Sequence, residues 1–249
     1  MTILCTSLPV GASAVNEVIP VITQADDPSL TREFLAATDG RLTFDPAVYD
    51  FSNLADKGYL IIPDFLPPSE AEALYTYARQ LGEPDWNFAG IGREQLHTVN
   101  TRVRSDQIRW LQPEHAVERA YLDTMEQLRI HLNRSFFMGL FDYECHLARY
   151  QPGSFYKKHL DAFKGRSNRV LTTVYYLNPD WRAQDGGALV MYGEKGEVLK
   201  TVLPQQNTFV IFLSDTFVHE VQLAHKERFS ITGWFRHNTS SAQRIDPPA

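Results

Sequence analysis

Cysteine is almost missing from this chain: Cys5 and Cys145 are its only two in 249 residues. That excludes a disulfide scaffold and a thiolate zinc site, and it fits a reducing compartment, so a cytoplasmic location is expected. No run of eighteen apolar residues occurs, which excludes a conventional helical membrane span. Positive charge is also scarce. Twenty-four Lys and Arg against 30 Asp and Glu leave a net charge of -6, which argues against a nucleic-acid partner gripped by phosphate neutralisation. The first 31 residues carry no Lys or Arg and are broken by Pro9 and Pro20, which makes a poor secretory leader.

What is present is the composition of a globular protein, 43% hydrophobic and 12% aromatic, in a chain long enough to bury a large core. Residues 1–45 lack sustained periodicity and read as an N-terminal arm. Residues 46–249 read as a single domain, with helical support over 46–138 and a strand-rich core over 139–238. Gly58 to Ile62 is a short strand. Ser69 and Glu72 have the spacing of a capping box opening a helix that places Leu74, Tyr77, Ala78 and Leu81 on one face, closed by Gly82 and Pro84. Glu114 to Leu132 is the longest helical pattern, with Val117, Tyr121, Thr124, Leu128 and Leu132 as its stripe. Between the helices, 85–106 has no strong period and reads as a strand or two joined by a mobile connection.

From about residue 139 the period changes to two. "LTTVYYLN", "ALVMY", "EVLKTV", "TFVIFL", "FVHEVQL" and "RFSITGWF" are short, rich in Val, Thr, Tyr and Phe, and bounded by Gly, Pro, Asn or Asp. Helices early and antiparallel strands late predict an α+β fold, a barrel or sandwich buttressed on one face by helices. Gly186-Gly187 makes a tight turn, and Lys157, Lys158, Lys164 and Arg166 form a solvated basic face open to an acidic partner.

The chemistry-bearing residues sit on those strands. In "YQPGSFYKKHLD" an extended backbone points His159 and Asp161 to the same side, and His219 of "SDTFVHEV" supplies a second imidazole from another strand. Two His and one carboxylate make the facial triad that leaves three iron positions open, but zinc sites with three protein ligands exist too, so ligand type alone does not decide the metal. An even-length hairpin after His219 would set Arg228 on the same face, a diagonal of roughly 8 Å, the reach of a five-carbon dicarboxylate chelating the metal at one end and meeting a guanidinium at the other. The same parity adds Ser230, Thr232 and Trp234 to that face. Glu220, the one base beside the triad that a zinc hydrolase could use, alternates to the other side.

Taken jointly, His159-x-Asp161, His219, Arg228, "YQPGSFYKKH", "RVLTTVYYLNPDW" and "GGALVMY" resemble the iron(II)- and 2-oxoglutarate-dependent prolyl 4-hydroxylases, in the compact branch of oxygen-sensing enzymes and bacterial relatives. The likeness covers about residues 100–236. It implies a double-stranded β-helix, or jelly roll, with helices on its outer sheet. It implies that His159, Asp161 and His219 hold iron, that Arg228 pairs with the distal carboxylate of 2-oxoglutarate, and that Tyr176 hydrogen-bonds it. Leu189 and Thr232 would line the co-substrate pocket. Tyr150 is a further candidate there, although Gln151 interrupts the family's Tyr-Pro-Gly.

On the substrate side the resemblance implies Tyr156, Trp234 and an Asp106–Arg169 ion pair. Asp106 belongs to "RSDQIRW", where Ser105 replaces a family glycine. The implied activity is hydroxylation of a prolyl residue at its 4-position in a protein or peptide, a translation factor being the bacterial candidate. Fe(II), 2-oxoglutarate and O2 would be consumed or used, with ascorbate as reductant and succinate and CO2 as co-products. A hydroxylase of a free amino acid or other small molecule, or a silent jelly-roll binding module, would use the same scaffold.

Overall fold

The computed structural model describes residues 44–90, 100–163 and 167–238. Most of the arm expected over 1–45, the middle of the 85–106 segment, and Lys164 and Arg166 lie outside the described residues. Eleven strands are described: β1 Tyr59–Ile62, β2 Asn87–Phe88, β3 Gln107–Trp110, β4 Asp142–Tyr150, β5 Tyr156–His159, β6 Arg169–Tyr176, β7 Leu189–Tyr192, β8 Val198–Val202, β9 Phe209–Leu213, β10 His219–Val221 and β11 Arg228–Arg236. They form two facing sheets, a major one in the order β1-β9-β6-β11-β4-β3-β2 and a minor one in the order β5-β10-β7-β8. Every pairing in the ladders is antiparallel, as the jelly roll requires.

Alternation along the long strands divides the interior in two. On β4, β6 and β11 the set Cys145, Leu147, Leu171, Tyr175, Ile231 and Phe235 points outward into a core shared with the helices. The intervening set Ala148, Tyr150, Val174 and Tyr176 points inward, between the sheets, against Leu189, Met191 and Val221 of the minor sheet. Three helices are described, α1 Ser52–Lys57, α2 Pro68–Gln80 and α3 Ala116–Phe136. The expected stripe of α3 is buried along its length at Val117, Tyr121, Thr124, Leu128 and Leu132. Burying a Leu of this kind contributes about 1.5–3 kcal/mol, which is what clamps the helix to the sheet.

Two local expectations are corrected. The Ser69–Glu72 capping box does not form: α2 begins at Pro68 with Pro67 as its N-cap and no side-chain cap. Proline at the first helical position has its φ already set, so the helix starts two residues too early for the Ser69 hydroxyl to cap it. Nor do His219 and Arg228 share a hairpin. Both hydrogen-bonding edges of β10 are occupied, by β5 on one side and β7 on the other. The chain must therefore cross to the major sheet, where β11 lies between β4 and β6.

The Gly186-Gly187 turn lets that crossing pass. Both glycines have positive φ, 69° and 66°. A Cβ on Gly186 would fall 2.2 Å from the Leu223 carbonyl oxygen, so no larger residue fits beneath the crossing segment.

Candidate active site

The inward faces of the two sheets enclose a cavity of about 490 Å³. At one side the last residue of β5, His159, stands directly across from the first residue of β10, His219. Asp161 follows His159 by two residues, and one donor atom from each of the three lies within 4.8 Å of the others. The rings are oriented by their far nitrogens. His159 Nδ1 donates to the Lys157 carbonyl at 2.8 Å and His219 Nδ1 to the Phe217 carbonyl at 3.0 Å. A carbonyl only accepts, so both Nε2 atoms present lone pairs to the centre.

Asp161 is held from behind. Its Oδ2 accepts from Thr172 Oγ1 at 2.7 Å and from Trp234 Nε1 at 3.1 Å. Burial would raise its pKa, but the neighbouring His219 and His159 outweigh it and keep the carboxyl well below the usual range. Burial pushes His219 the other way, down to about 4. The cluster therefore presents an ionised carboxylate and a neutral imidazole, the protonation states in which these groups bind metal.

The opposite end of the cavity is cationic. Arg228 is 1% exposed, and its guanidinium carbon lies 4.6 Å from the Tyr150 ring centre and 5.1 Å from that of Tyr176. Its Nη1 donates to Ser230 Oγ at 3.2 Å, but no carboxylate among the described residues pairs with it. Among the described residues the buried Arg228 Nε and Tyr176 Oη have no hydrogen-bond partner. Burial, opposed by the arginine, pushes the Tyr176 phenol up to about 12, so it remains a donor. A buried cation without a counter-ion is costly, and an unmet phenol beside it adds to the cost. Both are relieved by an anion with several acceptor oxygens, so these residues fit a dicarboxylate co-substrate as the triad fits iron. Val174, Leu189, Val221 and Thr232 wall the space between.

Stacked side chains form the mouth. Tyr156 lies flat on His159, ring centres 3.6 Å apart at 13°, and Arg104 lies 4.4 Å over Tyr156. Across the opening Arg169 sits 3.4 Å over Trp234. The expected Asp106–Arg169 pair is absent, and each partner is satisfied elsewhere. Asp106, fully buried, takes Arg104 through both oxygens at 2.8 and 2.5 Å. Arg169 donates to Glu144 Oε1 at 3.0 and 2.8 Å, and Glu144 in turn accepts from Arg236, itself paired with Asp142. The reason is register: Asp106 precedes a strand whose Gln107 is level with Arg149, whereas Arg169 is level with Arg236 at the other end of the sheet.

The structure brings Tyr150, Tyr156, Leu189, Thr232 and Trp234 to the cavity wall, Thr232 and Trp234 as strand parity predicts and the other three where the resemblance implies. Glu220 is turned away, accepting from Tyr192 Oη at 2.5 Å on the outer surface of the minor sheet. Two residues escaped the sequence reading, Glu144 and His146. Counting back by twos from Tyr150 along β4 would have found both.

A sandwich of two antiparallel sheets with a His-Asp-His cluster at one side and the buried Arg228 deep within defines a facial-triad oxygenase scaffold. Residues 145–236 match the family described as the 2OG-Fe(II) oxygenase superfamily. The chain is 39% identical to a prolyl-4-hydroxylase from Pseudomonas putida, over 75% of this chain and 96% of that one, with a TM-score of 0.68. It shares the fold of a Trichoplax adhaerens prolyl hydroxylase solved in complex with a hypoxia inducible factor peptide, at 24% identity over 84% of this chain and 91% of that one, with a TM-score of 0.64. It is 27% identical to Egl nine homolog 1 of Homo sapiens over 72% of this chain but only 43% of the human protein, so it spans less than half of that relative's length. The chain belongs to the prolyl hydroxylase family of 2-oxoglutarate- and iron(II)-dependent oxygenases.

Proposed function

We propose that residues 46–249 form one catalytic unit that hydroxylates a prolyl residue at its 4-position in a protein or peptide, using Fe(II), 2-oxoglutarate and O2. The observation that carries this reading is the presence, in one cavity, of three side chains placed to hold a metal ion and of a buried cation that has no acidic partner among the described residues. The likeness to the Pseudomonas putida prolyl-4-hydroxylase supports proline as the target.

His159, Asp161 and His219 would hold the iron through two Nε2 atoms and a carboxylate oxygen, with Thr172 and Trp234 fixing that carboxylate. Arg228 and Tyr176 would receive the distal carboxylate of 2-oxoglutarate, and Leu189 and Thr232 would pack on its methylene chain. Bound iron supplies the redox chemistry that splits O2 between succinate, formed with loss of CO2, and the hydroxyl placed on the substrate carbon. Tyr156, Trp234 and Arg169 would position the substrate at the mouth and exclude water. A translation factor is the substrate candidate, and a cytoplasmic site of action accords with the scarcity of cysteine.

The test is proteome-wide. Wild-type protein and His159→Ala are each incubated with Fe(II), ascorbate, 2-oxoglutarate and cell extract, and peptides are scanned for an added oxygen on proline. A modification made only by the wild type identifies chemistry and substrate together. Succinate without any modified peptide would replace this reading with a small-molecule hydroxylase, and absence of both would leave a binding module.

A further inference from the structure

One lobe of the cavity is used by neither the metal cluster nor the arginine end. It lies along β3 and β4, where His146 is the register partner of Trp110 on one side and of Thr232 on the other. Adjacent strands are about 4.8 Å apart, so His146 stands one strand from the wall of the co-substrate pocket and next to the mouth. It lines the cavity yet is 2% exposed. Its ring is set between two indoles, 5.3 Å from Trp110 at 86° and 5.6 Å from Trp234 at 57°.

The tautomer follows from a single contact. His146 Nδ1 lies 3.2 Å from the Leu147 carbonyl oxygen, which can only accept, so Nδ1 carries the proton and Nε2 offers a lone pair. Among the described residues nothing bonds Nε2. Burial, and then the nearby Arg104, push the imidazole down to about 4, so it is neutral at physiological pH. A neutral acceptor between two apolar rings loses its water when a substrate enters, and the loss is recovered only if the substrate brings a donor. A prolyl residue within a chain has no N–H of its own. The nearest donor a polypeptide always carries is the amide of a flanking residue.

We propose that His146 is a specificity-determining residue whose Nε2 accepts a hydrogen bond from the backbone N–H of a residue adjoining the target proline. The assignment rests on the prolyl hydroxylase reading and deepens it, because it makes the flanking main chain part of what is recognised. It also gives the polar side chain of the aromatic lobe a function that packing alone would not require.

The test uses a proline-containing peptide hydroxylated by the wild type and two ester analogues, one replacing the amide N–H of the residue before the proline and one that of the residue after it. kcat/KM is measured for the wild type, His146→Leu and His146→Gln. One ester is expected to cost the wild type about tenfold and His146→Leu less than twofold. His146→Gln, whose side-chain oxygen also accepts, should recover part of the discrimination. The KM for 2-oxoglutarate should move less than twofold in both variants, which separates the effect from a collapsed co-substrate pocket. Equal ester costs in wild type and His146→Leu would overturn the proposal. Succinate formation with no peptide hydroxylated at all would remove it together with the reading on which it rests.

Discussion

Trp234 donates its indole N–H to Asp161 Oδ2 at 3.1 Å while carrying the Arg169 guanidinium 3.4 Å from its ring centre. One side chain thus touches both the metal-side carboxylate and the cation at the mouth. Trp234→Phe keeps a ring for Arg169 but removes the hydrogen bond that orients Asp161. Outer partners of metal ligands typically account for 10–100-fold in affinity. Anaerobic Fe(II) titration of this variant is expected to show binding weakened by about tenfold or more. Unchanged affinity would mean that Thr172 alone holds the carboxylate.

Arg228 is buried without an acidic partner among the described residues, which costs the ligand-free protein stability that bound 2-oxoglutarate restores. Arg228→Met should therefore do two opposite things. It should raise the Tm of the ligand-free protein, since replacing buried charge by apolar volume stabilises by about 1–4 kcal/mol in favourable cases. It should also abolish the Tm increase that 2-oxoglutarate gives the metal-loaded wild type. Thermal melts with and without 2-oxoglutarate read both effects, and a lowered ligand-free Tm would show that Arg228 is structurally satisfied.

Glu144 holds Arg169 with one oxygen and Arg236 with the other. Glu144→Gln keeps the shape and removes the charge, freeing Arg169 from its place over Trp234. The expected result is a peptide KM raised about tenfold with the 2-oxoglutarate KM unchanged, and partial recovery in Glu144→Asp. A parallel rise in both KM values would indicate general loosening of the sheet.

His146 gives a pH signature of stability. Its folded pKa of about 4 lies below the ordinary value of 6.5, so between those values the unfolded chain binds more protons than the folded one. The His146 contribution is complete above pH 6.5 and is lost as the pH falls toward 4, at up to about 1.4 kcal/mol per pH unit. Denaturant unfolding from pH 7 to 4 should show a shallower acid decline for His146→Gln than for the wild type. Identical slopes would place the titrating proton elsewhere.

The parts of this molecule legible in the sequence are those set by local periodicity. Alternation alone placed Arg228, Ser230, Thr232 and Trp234 on one face, because a strand leaves its side chains no other choice. Which sheet a strand joins was not legible. The three residues of β10 carry no mark that both of their edges are taken, so the His219–Arg228 hairpin looked natural. The partner of Arg169 was hidden for the same reason, because Arg169 meets Glu144 through a register that no linear spacing encodes, whereas the Arg104 that satisfies Asp106 stands only two residues before it. At α2 two local signals competed, and the fixed φ of Pro68 prevailed over the Ser69–Glu72 box.

The most direct test of the whole account is stoichiometry. The peptide found in the proteome-wide experiment is incubated with wild-type protein, Fe(II), ascorbate and 2-oxoglutarate, and hydroxyprolyl product and succinate are quantified together. The account predicts equal amounts of the two, both lost in His159→Ala. Peptide oxidation that persists without 2-oxoglutarate, or in His159→Ala, would contradict it.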